Sequence, residues 1–256
     1  MSEAETWIFG LHAVRAALQR RGQVRELLID AGRHDARMRE LLSLAEAQSV
    51  DVQRVSGEEL DRLADDGRHQ GVVARLPQRQ TQDEPYLKAL LKRLDRPPFL
   101  LILDEVQDPH NLGACLRTAD AAGVDAVITS RDRSAGLNAT VRKVASGAAE
   151  SVPFVQVTNL ARTLKWLKAE GVWLIGTAGE ADKGLYEIDL TGPLGFVMGG
   201  EGKGLRRLTR EQCDLLVSLP MVGTVESLNV SVAAGVTLYE ALRQRSGGRS
   251  CASVPN

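Results

Sequence analysis

Cysteine is scarce in this chain. Cys115, Cys213 and Cys251 are the only three in 256 residues, their number is odd, and no two form a C-x-x-C pair. A disulfide framework of the kind that holds small secreted domains together is therefore excluded. The four histidines, His12, His34, His69 and His110, stand at no metal-ligand spacing such as H-x-x-x-H, and no metal is expected. Long apolar runs are missing too. Stretches such as Phe99–Leu103 fall far short of the roughly 20 residues that cross a bilayer. The opening Met1-Ser-Glu-Ala-Glu5 has neither the basic nor the apolar region of a secretory signal. A cytoplasmic protein is the expectation.

Charge of one sign is also lacking. The formal net charge is −1, so no bulk basic field draws the chain to nucleic acid, and any such surface must be a local patch. Lysine is rare, 7 against 25 arginines, and the first is Lys88. Arginine suits phosphate and base stacking, although a GC-rich genome produces the same bias. Residues 1–80 hold 12 Arg against 13 Asp plus Glu, so phosphate binding there must rest on arrangement, around Arg15, Arg20, Arg21 and Arg25. A second basic group, Arg131, Arg133, Arg142 and Lys143, reads first as a solvated face. No G-x-S-x-G elbow occurs, which removes support for a serine hydrolase.

What is present is an α/β pattern. Residues 7–77 read as a small unit: a helix from Gly10 to Leu18, a strand Glu26–Asp30, a helix Asp35–Ala47, a strand Val50–Val55, a helix Glu58–Leu63 and a strand Gly71–Leu76. Residues 78–98 are polar and proline-rich around one short helical piece and read as a linker. Residues 99–245 alternate strands with helices of about ten residues, the signature of a parallel sheet covered on both faces. The expected strands are Phe99–Leu103, Ala126–Thr129, Val152–Val157, Val172–Thr177, Leu194–Met198 and Leu215–Leu219. The expected helices are Leu112–Ala122, Ala139–Gly147, Leu160–Glu170, one near Leu208–Cys213 and a long one at Leu228–Arg245. Residues 246–256 read as a small polar tail.

Three segments put polar residues or glycines where a strand ends or a helix begins, the place where open α/β sheets bind ligands. In Leu103-Asp-Glu-Val-Gln-Asp-Pro-His-Asn-Leu-Gly-Ala-Cys-Leu-Arg117, Asn111 is placed to cap the following helix. Arg117, among Leu116, Ala119 and Ala121, would be costly to bury alone, so it meets either a structural carboxylate or a ligand phosphate; the two readings are level. In Met198-Gly-Gly-Glu-Gly-Lys-Gly204, four glycines surround Glu201. Position 197 is Val and position 204 Gly, so the P-loop pattern fails, as does the dinucleotide fingerprint. In Ser218-Leu-Pro-Met-Val-Gly-Thr-Val-Glu-Ser-Leu-Asn-Val-Ser231, Ser227 reads as an N-cap, with Leu228, Val232 and Ala233 turned inward. Capping alone explains one Ser or Asn there well, and Ser227, Asn229 and Ser231 together poorly.

These three segments, in this order, resemble the motifs of the SpoU family of RNA ribose 2′-O-methyltransferases, and the resemblance spans roughly residues 7–245. It implies an N-terminal α/β domain that binds substrate RNA, over 7–77. It also implies a C-terminal methyltransferase domain, over 99–245, whose last segment threads a trefoil knot. The implied cofactor is S-adenosylmethionine, held by the loops at Thr177, at Gly199 and from Leu219 through Met221 to Leu228. Asn111, Arg117, Glu201, Ser227 and Asn229 match the family's catalytic positions. An arginine guanidinium stays protonated at any working pH. Arg117 is therefore expected to grip the target phosphate and steady the developing alkoxide, with Glu201 holding Arg117 or Asn111 in place. The resemblance further implies a homodimer acting on 23S rRNA or a large-subunit precursor, at a guanosine ribose of the peptidyl-transferase region. Alternative readings are another RNA target, such as tRNA, or a catalytically silent RNA-binding protein.

Overall fold

The structure, a computed structural model, describes residues 5–247 apart from 20, 21, 23, 65, 66, 79 and 203. Arg20, Arg21, Lys203 and all but the first two residues of the expected tail thus lie outside the described residues. The chain divides into two compact units, residues 1–80 and 81–256. Among the described residues no helix is long and apolar enough to cross a membrane.

The first unit is a four-stranded sheet. Strand β1 (Glu5–Phe9), β2 (Glu26–Asp30), β3 (Asp51–Val55) and β4 (Val72–Pro77) lie in the order β1-β4-β2-β3. β1 was not anticipated, because its five residues only partly alternate. It pairs antiparallel with β4, and β4 antiparallel with β2, while β2 and β3 run parallel. The two-residue side-chain period of β2 explains the layering. Leu27 and Ile29 enter one core with α1 (Leu11–Leu18) and α2 (Ala36–Ala47), and Leu28 enters the opposite one with Leu60 of α3 (Gly57–Leu63). Asp35 caps α2 and Ser56 caps α3, each accepting backbone N–H groups of the first turn. Arg15 does not stand ready for phosphate: it pairs with Glu40 at 2.8 Å.

The second unit begins with α4 (Glu84–Arg93), inside the stretch expected as a linker. Asp83 caps this helix, and its Leu87 is fully buried in the second unit's core, so residues 81–98 are built into that unit. Seven strands follow: β5 (Phe99–Asp104), β6 (Ala126–Ser130), β7 (Phe154–Val157), β8 (Trp173–Thr177), β9 (Lys183–Gly184), β10 (Leu194–Gly199) and β11 (Leu215–Ser218). Their order is β7-β6-β5-β10-β8-β11-β9, and every pair is parallel. Both faces are covered, which is why β5 is buried along its whole length and reads as an unbroken apolar run. Phe99, Leu101 and Leu103 pack under α5 (Pro109–Ala122), α6 (Ala139–Ala145), α7 (Ala148–Ser151) and α10 (Val230–Arg245). Leu100 and Ile102 pack against α4 and α8 (Leu160–Ala169) on the other side. A short helix, α9 (Arg207–Arg210), precedes β11.

Three boundaries differ from expectation for local reasons. α5 starts at Pro109 under an Asp108 cap, three residues before the expected start, because proline lacks an N–H and its fixed φ suits a first helical position. Asn111 is therefore inside the first turn. The expected helix 139–147 breaks at Ser146 and Gly147, whose φ values of 51° and 92° are left-handed, and restarts as α7. α10 starts at Val230 with Asn229 as its cap, accepting from the Ser231 N–H; Ser227 is an exposed loop residue. Leu228 and Val232 consequently face outward and only Ala233 is buried.

Candidate active site

The strand order creates the site. The chain runs outward from β5 through β6 to β7, and then returns to the other side of β5, where β10 becomes its neighbour. Such a reversal leaves a crevice at the carboxyl ends of the strands. A cavity of about 490 Å³ lies where β8, β10 and β11 end. Thr177, Gly199, Leu219, Met221 and Leu228 all line it, as do Glu201, Ser227 and Asn229. The loop after β10 is drawn tight, with the Gly204 N–H donating to the Gly200 carbonyl at 3.2 Å. Gly199 must be glycine for room: a Cβ there would stand 2.1 Å from the Gly204 carbonyl carbon. Gly202, at φ 78°, supplies the left-handed residue that turns the loop.

The three motif segments meet in one hydrogen-bonded relay. The Asn111 side-chain amide donates to Glu201 Oε1, and Asn229 Nδ2 donates to Asn111 Oδ1 at 3.0 Å. These residues are 90 and 118 positions apart in sequence. Asn111 is 7% exposed, so its amide is satisfied by this relay rather than by water. Asp108, one turn before it, has its carboxyl held below the ordinary aspartate range by the His110 backbone N–H, and next by the Asn111 side chain.

Arg117 is placed differently from expectation. It is exposed and, among the described residues, meets neither Glu201 nor another carboxylate; its Nη1 donates to Ser146 Oγ at 3.4 Å, and it does not line the cavity. The reason is helical periodicity: six residues on from Asn111 turns the side chain by about 240°. Of the other basic group, Arg142 is bound to Glu150 in a pair whose side chains are 11% and 4% exposed, and Arg133 reaches Glu105.

Glu180 and Arg210, which also line the cavity, were not singled out from sequence. Glu180 follows β8, Arg210 ends α9, and the two form an ion pair at the cavity; Arg210 keeps the Glu180 carboxyl below the ordinary range. Glu180 lies just past a predicted strand end, which was its only available signal. Arg210 carried none.

A parallel α/β sheet with a glycine-lined cavity at its carboxyl edge and an Asn–Glu–Asn relay defines a small-molecule-dependent enzyme site. The chain belongs to the SpoU rRNA methylase family, whose pattern matches residues 98–239, while residues 7–82 match the RNA 2′-O ribose methyltransferase substrate-binding domain. The family's trefoil knot follows from this membership. The chain is 57% identical over 241 residues to the 23S rRNA (guanosine-2′-O-)-methyltransferase RlmB of Escherichia coli K12, covering 93% of this chain and 98% of that protein. It is 58% identical over 239 residues to RlmB of Pseudomonas aeruginosa, covering 93% and 96% respectively. Its fold is similar to the SpoU methyltransferase AviRb of Streptomyces viridochromogenes, solved in complex with AdoMet. The TM-score is 0.71 at 27% identity, over 95% of this chain and 92% of that one.

Proposed function

We propose that this protein methylates the ribose 2′-hydroxyl of a guanosine in the peptidyl-transferase region of 23S rRNA, with S-adenosylmethionine as donor. The observation that carries the reading is the relay of Glu201, Asn111 and Asn229, which joins the three motif segments beside the cavity. The cavity suits the donor. Its volume of about 490 Å³ is that of a small-molecule site, and the apolar Leu219, Met221 and Leu228 beside backbone groups of the glycine loop suit a flat neutral base better than a phosphate chain. When bound, the cofactor supplies an electrophilic methyl group on a sulfonium.

The chain's own residues position the nucleophile. Glu201 is held at the cavity by Asn111, and Asn111 by Asn229, so none of the three has to reorganise as the hydroxyl arrives. Ser227 and Asn229 line the same cavity. We assign Arg117 to the RNA phosphate, which its forked donors can grip in a bidentate contact from the exposed face of α5. The protein acts as a homodimer in the cytoplasm in this reading. The exposed apolar side chains of Val222, Val225, Val232 and Tyr239, near the cavity and along α10, support a pairing surface. Residues 7–77 are assigned to binding the RNA.

The test is methyl transfer from radiolabelled S-adenosylmethionine to rRNA from cells lacking this enzyme, followed by mapping of the labelled ribose. One 2′-O-methylguanosine in the peptidyl-transferase region is expected. Label on tRNA alone would overturn the substrate, and no label on any RNA would overturn the enzyme. Arg117→Lys is expected to lose most turnover, since a lysine cannot make the bidentate contact.

A further inference from the structure

Asp104 ends β5, and its carboxylate is fully buried. A buried charge persists only where partners replace its hydration. Arg206 replaces it three times over. Its backbone N–H donates to Oδ2 at 2.9 Å, its Nε donates to Oδ1 at 2.7 Å, and its Nη2 lies 2.6 Å from Oδ1. The remaining Nη1 stands 3.4 Å from the carboxylate of Glu105, which also takes Arg133 at 3.4 Å. Glu105 itself has a φ of 60°, a left-handed backbone that a glutamate rarely adopts. Its carbonyl oxygen is so close to the β10 loop that a Cβ on Gly200 would stand 2.4 Å away.

Asp104 and Glu105 thus grip the loop leaving β10 at two points, by backbone contact at Gly200 and by charge at Arg206. Glu201 lies between those points. Beyond Glu105 the chain enters α5, which carries Asn111. The grip therefore bears on one of the two contacts that make the relay, that between Glu201 and Asn111.

We propose that Asp104 and Arg206 are positioning residues for methyl transfer: their buried ion pair holds Glu201 against Asn111. The proposal rests on the methyltransferase reading given above and adds two residues that act through Glu201 rather than on substrate.

Arg206→Lys keeps the charge and the backbone donor but loses the fork. It is expected to lower kcat about tenfold with KM for RNA unchanged, since misplacement on the order of 1 Å costs up to ~100-fold. The deciding measurement is a double-mutant cycle with Glu201→Gln, because residues that act through one another are not additive. In the Glu201→Gln background, Arg206→Lys is expected to cost less than about twofold. The same loss in both backgrounds, or full turnover of Arg206→Lys, would overturn the proposal. Should Arg206→Lys unfold, the paired variant Asp104→Asn with Arg206→Gln removes both charges and leaves no buried ion unmatched. It is expected to keep the wild-type Tm and show the same loss of kcat; wild-type kcat there would equally overturn the proposal. A wild-type protein with no methyl transfer at all would defeat the functional reading instead, and the two failures are distinguishable.

Discussion

An alanine at position 199 would set its methyl carbon 2.1 Å from the Gly204 carbonyl carbon, 2.4 Å from the Leu205 nitrogen and 2.5 Å from the Gly204 oxygen. All three are backbone atoms, so no rotamer change relieves the clash. Carbon–carbon contact needs about 3.5 Å, so Gly204 and Leu205 must withdraw by more than about 1 Å. Overpacking of this kind costs about 1–3 kcal/mol, or a Tm lowered by roughly 2–4 °C per kcal/mol in a unit of this size. The larger effect falls on the site, because the displaced loop lines the cavity and carries Glu201. A shift on the order of 1 Å is worth about 100-fold, or about 2.7 kcal/mol, in cofactor affinity and turnover together. Gly202→Ala is the control. It has nothing within 4 Å of its Cβ and bears only the strain of its φ of 78°, about 1 kcal/mol. Calorimetric titration with S-adenosylmethionine, alongside thermal melts of both variants, measures the contrast. Affinity within threefold of wild type for Gly199→Ala, or equal damage from Gly202→Ala, would refute the steric argument.

Leu101, fully buried at the centre of β5, is expected to cost about 2–5 kcal/mol on truncation to alanine, read from denaturant midpoints. Asp108 titrates below the ordinary aspartate range, so its capping of α5 is fully present above the usual carboxylate pKa and is lost as pH falls through its lowered value. Wild type should accordingly lose more Tm than Asp108→Asn as the solution is acidified through the carboxylate range, and parallel curves would disprove the cap's role. Burial pushes the thiols of Cys115 and Cys213 up to about 12, so in the folded protein both should resist alkylation by iodoacetamide at pH 8 until denaturant is added. Rapid native labelling of either, located by peptide mass spectrometry, would contradict that burial.

Much of the second unit was legible because its strands are buried on both faces. Phe99–Leu103 and Leu194–Met198 are continuous apolar runs of strand length, bounded by proline, glycine or acidic residues. The glycine loop stood out because a plain tight turn seldom needs four glycines around one acidic residue. Helix starts were read less well. Asn111 and Ser227 are good capping types, but Asp108 and Asn229 cap instead, since the Pro109 ring and the line of the chain into α10 choose among neighbouring candidates. The stretch 78–98 looked like a linker because its composition is polar and proline-rich; burial of Leu87, with Tyr86, Leu90 and Leu91 packed beside it, builds α4 into the second unit.

By itself, then, the sequence determined most of the strands and helices, though not β1 or β9, and which residue types gather at strand ends. These follow from local periodicity and from backbone preferences of glycine and proline. Only the tertiary structure decided that β10 lies between β5 and β8, that Glu201 meets Asn111 and not Arg117, and that Asp104 is bound by Arg206 from 102 residues away. Each of those is a pairing of distant segments. The free energy that selects it comes from burying both faces of one sheet and from matching each buried polar group with a partner, and neither term belongs to any single stretch of chain.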